Sequence, residues 1–308
     1  MQGNEWSLII FTTVMQMAVG SFVILGGIHF FATRRYDTKA ADALSDRALL
    51  AIGPVVVLAL LVTFLHLGNP LNAPRAVTNL GTSWLSREIT LALVFAVGGA
   101  VFALLQWRKI GSAAVRNALG LLLAAVGLVL VWSMAQVYLL PTVPAWNSPA
   151  TVVTFFITTL LLGSLAVGSA FVITYQYLRG RGKLPDTDIQ FDILSTTLRW
   201  IVLISLVLLG VQFVVIPLYF ASLAQQGSAA ALSSISLILN EGGALLALRL
   251  ILLFVGAGIF SIFMYRSASN QAKTRVTAYL AYSAFICVLV SEIVARFLFY
   301  QSMVRIGL

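Results

Sequence analysis

Charge is what this chain has least of. Lys, Arg, Asp and Glu together make up 9% of its 308 residues, against roughly 25% in a soluble globular chain. That is too little to cover the surface of a soluble body of this size. With 60% apolar residues and a mean hydropathy of +0.99, the composition describes a polytopic membrane protein. The net charge of +9 would suit a nucleic-acid partner in a soluble protein. Here membrane topology and contact with anionic lipid account for it, so no nucleic-acid binding is expected. Cysteine is nearly absent. Cys287 stands alone in an apolar run, which excludes an intrachain disulfide, a CxxC pair and a cysteine-ligated iron–sulfur cluster; it reads as a small buried apolar residue. Histidine is limited to His29 and His66. The opening MQGNEW lacks a basic stretch ahead of the first apolar run, which is itself long enough to span, so no cleavable signal peptide is expected.

What the sequence has in abundance is long apolar runs. A hydrocarbon core of about 30 Å takes about 20 apolar residues per helix. Eight runs meet this: Ser7–Ala32, Leu49–Leu67, Glu88–Trp107, Asn117–Leu140, Thr151–Leu178, Trp200–Ala221, Gly242–Tyr265 and Thr277–Tyr300. The expected fold is an all-α membrane protein of eight transmembrane helices. The long connection after the fourth suggests two four-helix bundles, residues 1–140 and 141–308, with no sequence repeat between them. The connections after spans one, three, five and seven carry 14 Lys and Arg, and the opposite face carries 3 (Arg75, Arg87 and Arg305). Basic loops stay cytoplasmic, so both termini are expected outside, periplasmic in a Gram-negative cell. Trp6, Trp84, Trp107, Trp146 and Trp200 fall at the ends of these runs, where an amphipathic ring prefers to sit.

The connections on the charge-poor face differ in character. GNPLNAPRAVTNLGTSWLSRE, between spans two and three, and PTVPAWNSP, after span four, are structured by proline and suit a docking surface. Ser222–Glu241 is rich in Ser, Ala and Leu and suits a short interfacial helix.

Ionisable groups inside a bilayer cost about 2.5–3.5 kcal/mol each on insertion scales, so each needs a reason. His66 ends span two and Glu88 starts span three on the outer side. Glu241 and Arg249 lie in the outer part of span seven, and Glu292 and Arg296 in that of span eight. Gln16 and Gln136 also fall in outer halves, and His29 alone lies near the inner side. Bland readings stand beside each. Glu292 and Arg296, spaced i and i+4, form a neutralised pair on one helix face. Arg249 holds Glu241 or a carbonyl. Glu88 favours the helix N-terminal dipole, and His29 is an interfacial residue. A bis-histidine haem is not expected, because His29 and His66 are placed about a bilayer thickness apart; a metal site fails for the same reason. What remains is an outer cavity with a histidine, a carboxylate and an arginine among apolar walls. It suits a lipid-soluble hydroquinone, whose oxidation requires groups that accept its two phenolic protons. A secondary transporter could use the same residues for a proton-coupled substrate. It would be expected to show broken helices and midplane charges.

The run HLGNPLNAPRAVTNLGTSWLSREI, His66 to Ile89, resembles the second-to-third helix region of the membrane-anchor subunits of dimethyl sulfoxide reductase, the DmsC family. VWSMAQVY, TVPAWNSPATVVTFF, the closing EIVARFLFY and the N-terminal EWSLIIFT are similar to further segments of that family. The resemblance implies an anchor in the bacterial inner membrane, without haem or iron–sulfur cluster of its own, that oxidises menaquinol in anaerobic respiration. Electrons would pass to a four-cluster iron–sulfur subunit and then to a molybdenum bis-pterin subunit, where the terminal acceptor is reduced. It also implies quinol-binding roles for His66 and Glu88. Arg75 and Arg249 join them as candidate cofactor-binding residues by position. A polysulfide reductase-type anchor is the nearer alternative, and the His66–Glu88 motif argues against it.

Overall fold

In a computed structural model the protein is described over residues 5–64 and 77–307. Among the described residues there is no strand, and eight helical spans are long and apolar enough to cross a membrane. The helices in chain order are α1 (Glu5–Arg35), α2 (Thr38–Phe64), α3 (Trp84–Arg108), α4 (Ala113–Val137), α5 (Pro149–Gly180), α6 (Thr187–Gln226), α7 (Ala229–Ser236), α8 (Gly243–Leu253), α9 (Ser261–Ser267) and α10 (Thr274–Gln301). The seventh span is composite. α8 and α9 are joined through a π-helical stretch, Phe254–Phe260, into one run from Gly243 to Ser267. The short α7 and a π turn, Leu237–Glu241, precede it.

Helix starts follow local side-chain chemistry. Ser83, Ser112, Ser148, Asp186 and Ser228 each accept a hydrogen bond from a backbone N–H of the first turn, which satisfies donors that hydrocarbon would leave orphaned. Two helices begin well before their apolar runs. α2 starts at Thr38 rather than Leu49, and α6 at Thr187 rather than Trp200. Hydropathy marks where a helix enters lipid, not where it begins. The added turns carry Asp42, Asp46 and Asp192, which are held by partners described below. Trp200 therefore lies inside α6 and not at its end. The segment expected to form an interfacial helix divides between the end of α6 and α7. The buried hydroxyl of Ser234 in α7 donates to the carbonyl of Ser302, 2.8 Å away, so this piece folds over the end of α10.

The core lies along α1 and α5, the two most buried spans; 67% and 72% of their apolar windows face protein. They pack more extensively on each other than any other helix pair does. Their backbones touch at one crossing. A Cβ built on Gly20 would stand 1.8 Å from the carbonyl oxygen of Thr159, and one on Gly163 would stand 2.2 Å from the carbonyl carbon of Gly20. α2 and α4 pack on α1, α6 and α10 pack on α5, α3 pairs with α4, and α8 with α10. The connection after α4 and the C-terminal residues meet at one end, where the N–H of Ile306 donates to the carbonyl of Thr142. This is called the terminal end below, and the opposite, Lys- and Arg-rich end the basic end.

A side chain at Gly20 has nowhere to go except into the backbone of α5. Gly20→Ala is expected to lower the thermal unfolding midpoint of the purified protein clearly, since overpacking of this kind costs about 1–3 kcal/mol or more. Gly26→Ala, where an added Cβ meets nothing within 4 Å, should leave it within a degree or two. Equal behaviour of the two variants would show that the crossing is not tight.

Candidate functional site

At the terminal end, α3 is entered through a turn pinned by its own first residues. Arg87 donates to the carbonyls of Leu80 (2.8 Å) and Gly81 (2.7 Å), and its guanidinium lies 4.3 Å from the centroid of Trp84. With Arg87 turned out to hold the turn, the next residue points inward. Glu88 is 5% exposed, and among the described residues no cation pairs with it. It is within electrostatic reach of Tyr138 and Tyr300. His66 and Arg75 lie outside the described residues.

The two tyrosines share a buried hydrogen bond, 2.6 Å between their phenolic oxygens, at the centre of an aromatic cluster. Trp146 stacks on Phe299 with an interplanar angle of 13° and donates its indole N–H to the carbonyl of Phe299 at 2.7 Å. Trp146 is thus a buried anchor for the connection after α4 and not an interfacial ring. Thr151 donates to the Trp146 carbonyl at 2.8 Å. The 141–148 connection is fixed from both sides.

The other polar groups of this half gather around α10. The Arg296 guanidinium lies 3.9 Å from the Phe155 centroid and donates to Gln16 Oε1 at 2.9 Å. Glu292 accepts from Thr158 at 2.6 Å. Arg249 has Glu292 and Arg296, not Glu88, as its charged neighbours. The i, i+4 reading of Glu292 and Arg296 as a direct pair is replaced by these separate partners. Arg249, Glu292 and Arg296 line one cavity between α5, α6, α8 and α10, with about 750 Å³ of unfilled space, the open volume at its mouth included. Glu88 is not among its walls. The structure therefore separates two polar centres: Glu88 beside the tyrosine pair, and the Arg249–Glu292 pocket.

The basic end holds a third polar group, one that hydropathy and loop charge did not single out. His29 Nε2 lies 2.9 Å from Asp42. Lys109 donates to Asp42 and Asp46, both at 2.7 Å. Gln106 donates to the same two carboxylates and accepts from Arg116 at 2.9 Å. Arg35 and Tyr36 both donate to Asp192. His29 is a member of this four-helix network rather than an isolated interfacial residue. The signal for it was present: Asp42 and Asp46 are spaced i and i+4 ahead of an apolar run. Each of these acids has a partner, which marks the network as structural. Among the described residues no three His, Cys, Asp or Glu side chains are placed to hold a metal ion.

This arrangement is that of a multi-pass helical membrane protein in which most of the buried ionisable groups that form no ion pair among the described residues collect toward one end of the bundle. Residues 1–301 match the family model described as the DMSO reductase anchor subunit (DmsC), and the protein belongs to that family. It is similar along nearly its whole length to a component of the anaerobic dimethyl sulfoxide reductase of Escherichia coli K12, at 28% identity over 99% of this sequence and 97% of that one. A second E. coli protein of anaerobic dimethyl sulfoxide reductase type, YnfH, is 33% identical over 53% of this sequence and 56% of its own length. A sulfite dehydrogenase component of Allochromatium vinosum is 32% identical over 56% of this sequence and 54% of its own length.

The tyrosine pair gives a test of the site's rigidity. Tyr138→Phe or Tyr300→Phe alone leaves one buried hydroxyl without its partner, at about 1–3 kcal/mol. The double variant removes both groups and should cost less than the sum of the two. Strict additivity in thermal unfolding of the purified protein would mean that the hydroxyls do not interact.

Proposed function

We propose that this protein is the quinol-oxidising membrane anchor of a molybdenum-containing dimethyl sulfoxide reductase-type complex in a bacterial inner membrane, with the terminal end facing the periplasm. The observation that carries the reading is Glu88, a buried carboxylate without a cation partner among the described residues, beside two phenols at the end of a span. A group so costly to bury is retained where a ligand uses it. Family membership and the names of the relatives support the same activity.

In this reading Glu88 and His66 bracket the head of menaquinol. Each accepts a hydrogen bond from a phenolic hydroxyl. Oxidation of the hydroquinone to the quinone releases two electrons and two protons, and these two groups take the protons and pass them to the periplasmic side. Arg75 neighbours the site in sequence and steadies the carboxylate. The electrons leave to a four-cluster iron–sulfur subunit docked on the terminal end, against the 68–87 and 141–150 connections, and reach the molybdenum bis-pterin subunit. The anchor itself supplies binding, orientation and proton acceptance.

Replacing His66 or Glu88 with an apolar residue should abolish quinol-driven turnover of the complex. Reduction by an artificial donor to the soluble subunits should persist, because that route bypasses the anchor. Unchanged quinol-driven rates would place the site elsewhere, and loss of both activities would make these residues assembly determinants. The orientation has its own test. The thiol of an Asn72→Cys variant should react with an impermeant reagent added to intact spheroplasts. Protection until the inner face is exposed would reverse the topology.

A further inference from the structure

The pocket between α5, α6, α8 and α10 is not explained by the Glu88 site. Three of its lining side chains carry buried polar atoms with no hydrogen-bond partner: Nε of Arg249, Oε1 of Gln212 and Oε1 of Glu292. Gln212 is 1% exposed and Glu292 3%, so bulk water does not reach them freely. An orphaned group of this kind is expensive unless something pairs with it. The set defines its ligand. One donor, from a guanidinium, asks for an acceptor; two acceptors, a carboxylate and an amide carbonyl, ask for donors.

Depth narrows the choice. Arg249 lies six residues into α8 and Glu292 nine residues before the end of α10, about 9 and 13 Å along their helices at about 1.5 Å per residue. A phospholipid phosphate sits outside the hydrocarbon core, too far out to meet both. A phosphodiester also offers no donor to Gln212 or Glu292, and it would be repelled by the carboxylate. A flat ring bearing hydroxyls fits both demands. Each hydroxyl donates and accepts, and Ile216, Phe220 and Phe299 supply apolar wall. Pro217, one residue beyond Ile216, has no N–H to offer the carbonyl of Phe213, which interrupts the helical ladder of α6 beside this wall.

We propose that this pocket is a second binding site for a hydroquinone-type head group, separate from the Glu88 centre, with Arg249 donating to a ring oxygen and Gln212 and Glu292 accepting from ring hydroxyls. The site needs only a lipid-dissolved hydroquinone, and its existence does not depend on Glu88 oxidising one.

The test uses the full-length protein, with whatever subunits accompany it, in phospholipid nanodiscs. A menadiol derivative carrying an alkyl diazirine on its side chain is photolysed under anaerobic conditions, and its adducts are mapped by mass spectrometry with menadiol as competitor. Adducts on α6, α8 or α10 that menadiol suppresses are expected. Gln212→Leu, which removes an acceptor at similar volume, should weaken labelling there about tenfold. Ala295→Leu, which fills the pocket without touching its polar groups, should weaken it as much or more. Glu88→Gln should leave this labelling in place while removing any adduct near α3. Three results would overturn the proposal: adducts confined to the Glu88 region, pocket labelling lost with Glu88→Gln, or pocket adducts that neither menadiol nor the two pocket variants reduce. The last is the pattern expected of a cavity holding lipid or water alone.

Discussion

The rest of the structure depends on the crossing of α1 and α5 at Gly20 and Gly163. Between membrane helices there is no hydrophobic gain from association, because lipid tails are as apolar as leucine; close packing has to supply the attraction. Two glycines at the contact let the backbones touch, and residues on either side, such as Met15, Val19, Leu161 and Leu162, become fully buried. Every other span then packs against this pair or against a helix that does. The same geometry recurs where α10 meets the seventh span. An added Cβ on Gly256 would stand 2.9 Å from the carbonyl of Ala284. That second close approach brings Arg249 next to Glu292.

The two ends of the bundle treat their acids differently. All six aspartates lie in the segments that connect spans at the basic end, and the four glutamates lie toward the terminal end. Asp42, Asp46 and Asp192 are answered by Lys109, Gln106, His29, Arg35 and Tyr36. These bonds fix the relative register of the first three helices and of α6; Arg116 ties in α4 through Gln106, and Gln190 adds a bond from α6 to the Ala40 carbonyl. At the other end Glu88 has no cation partner among the described residues, and one oxygen of Glu292 has no hydrogen-bond partner. The contrast between acids with and without a cation partner among the described residues, more than the number of charges, separates scaffold from candidate chemistry.

Much of the fold was legible in the sequence because hydropathy and loop charge are local properties. The eight spans and the short helix before the seventh could be read from windows of about 20 residues. Helix starts at Thr38 and Thr187 could not, since those turns are polar and are held by residues far along the sequence. The candidate site was legible in part. Burial of Glu88 follows from its place one residue after Arg87, which the turn at Leu80 and Gly81 captures. The grouping of Arg249 with Glu292 and Gln212, and away from Glu88, depends on which faces of α6, α8 and α10 converge. No periodicity in a helix apolar on all sides reports that. Trp146 illustrates the same limit: a tryptophan at the end of a run reads as an interfacial ring until its stacking partner, Phe299, is seen.

The Glu88 centre and the Arg249 pocket are bridged by side chains that cannot move independently. Tyr300 bonds Tyr138 on the Glu88 side. Four residues earlier on the same helix, Arg296 reaches Gln16 and lies over Phe155. Arg296 is buried, and its charge is felt by both tyrosines and by Arg249. Each centre therefore feels the same fixed positive charge in a medium where screening by water is weak, and neither needs the other to change for that field to act. Gln16 belongs to α1, close to the Gly20 crossing, so this cation is held by the most tightly packed part of the molecule. Both centres are thereby oriented by the glycine contact that organises the bundle.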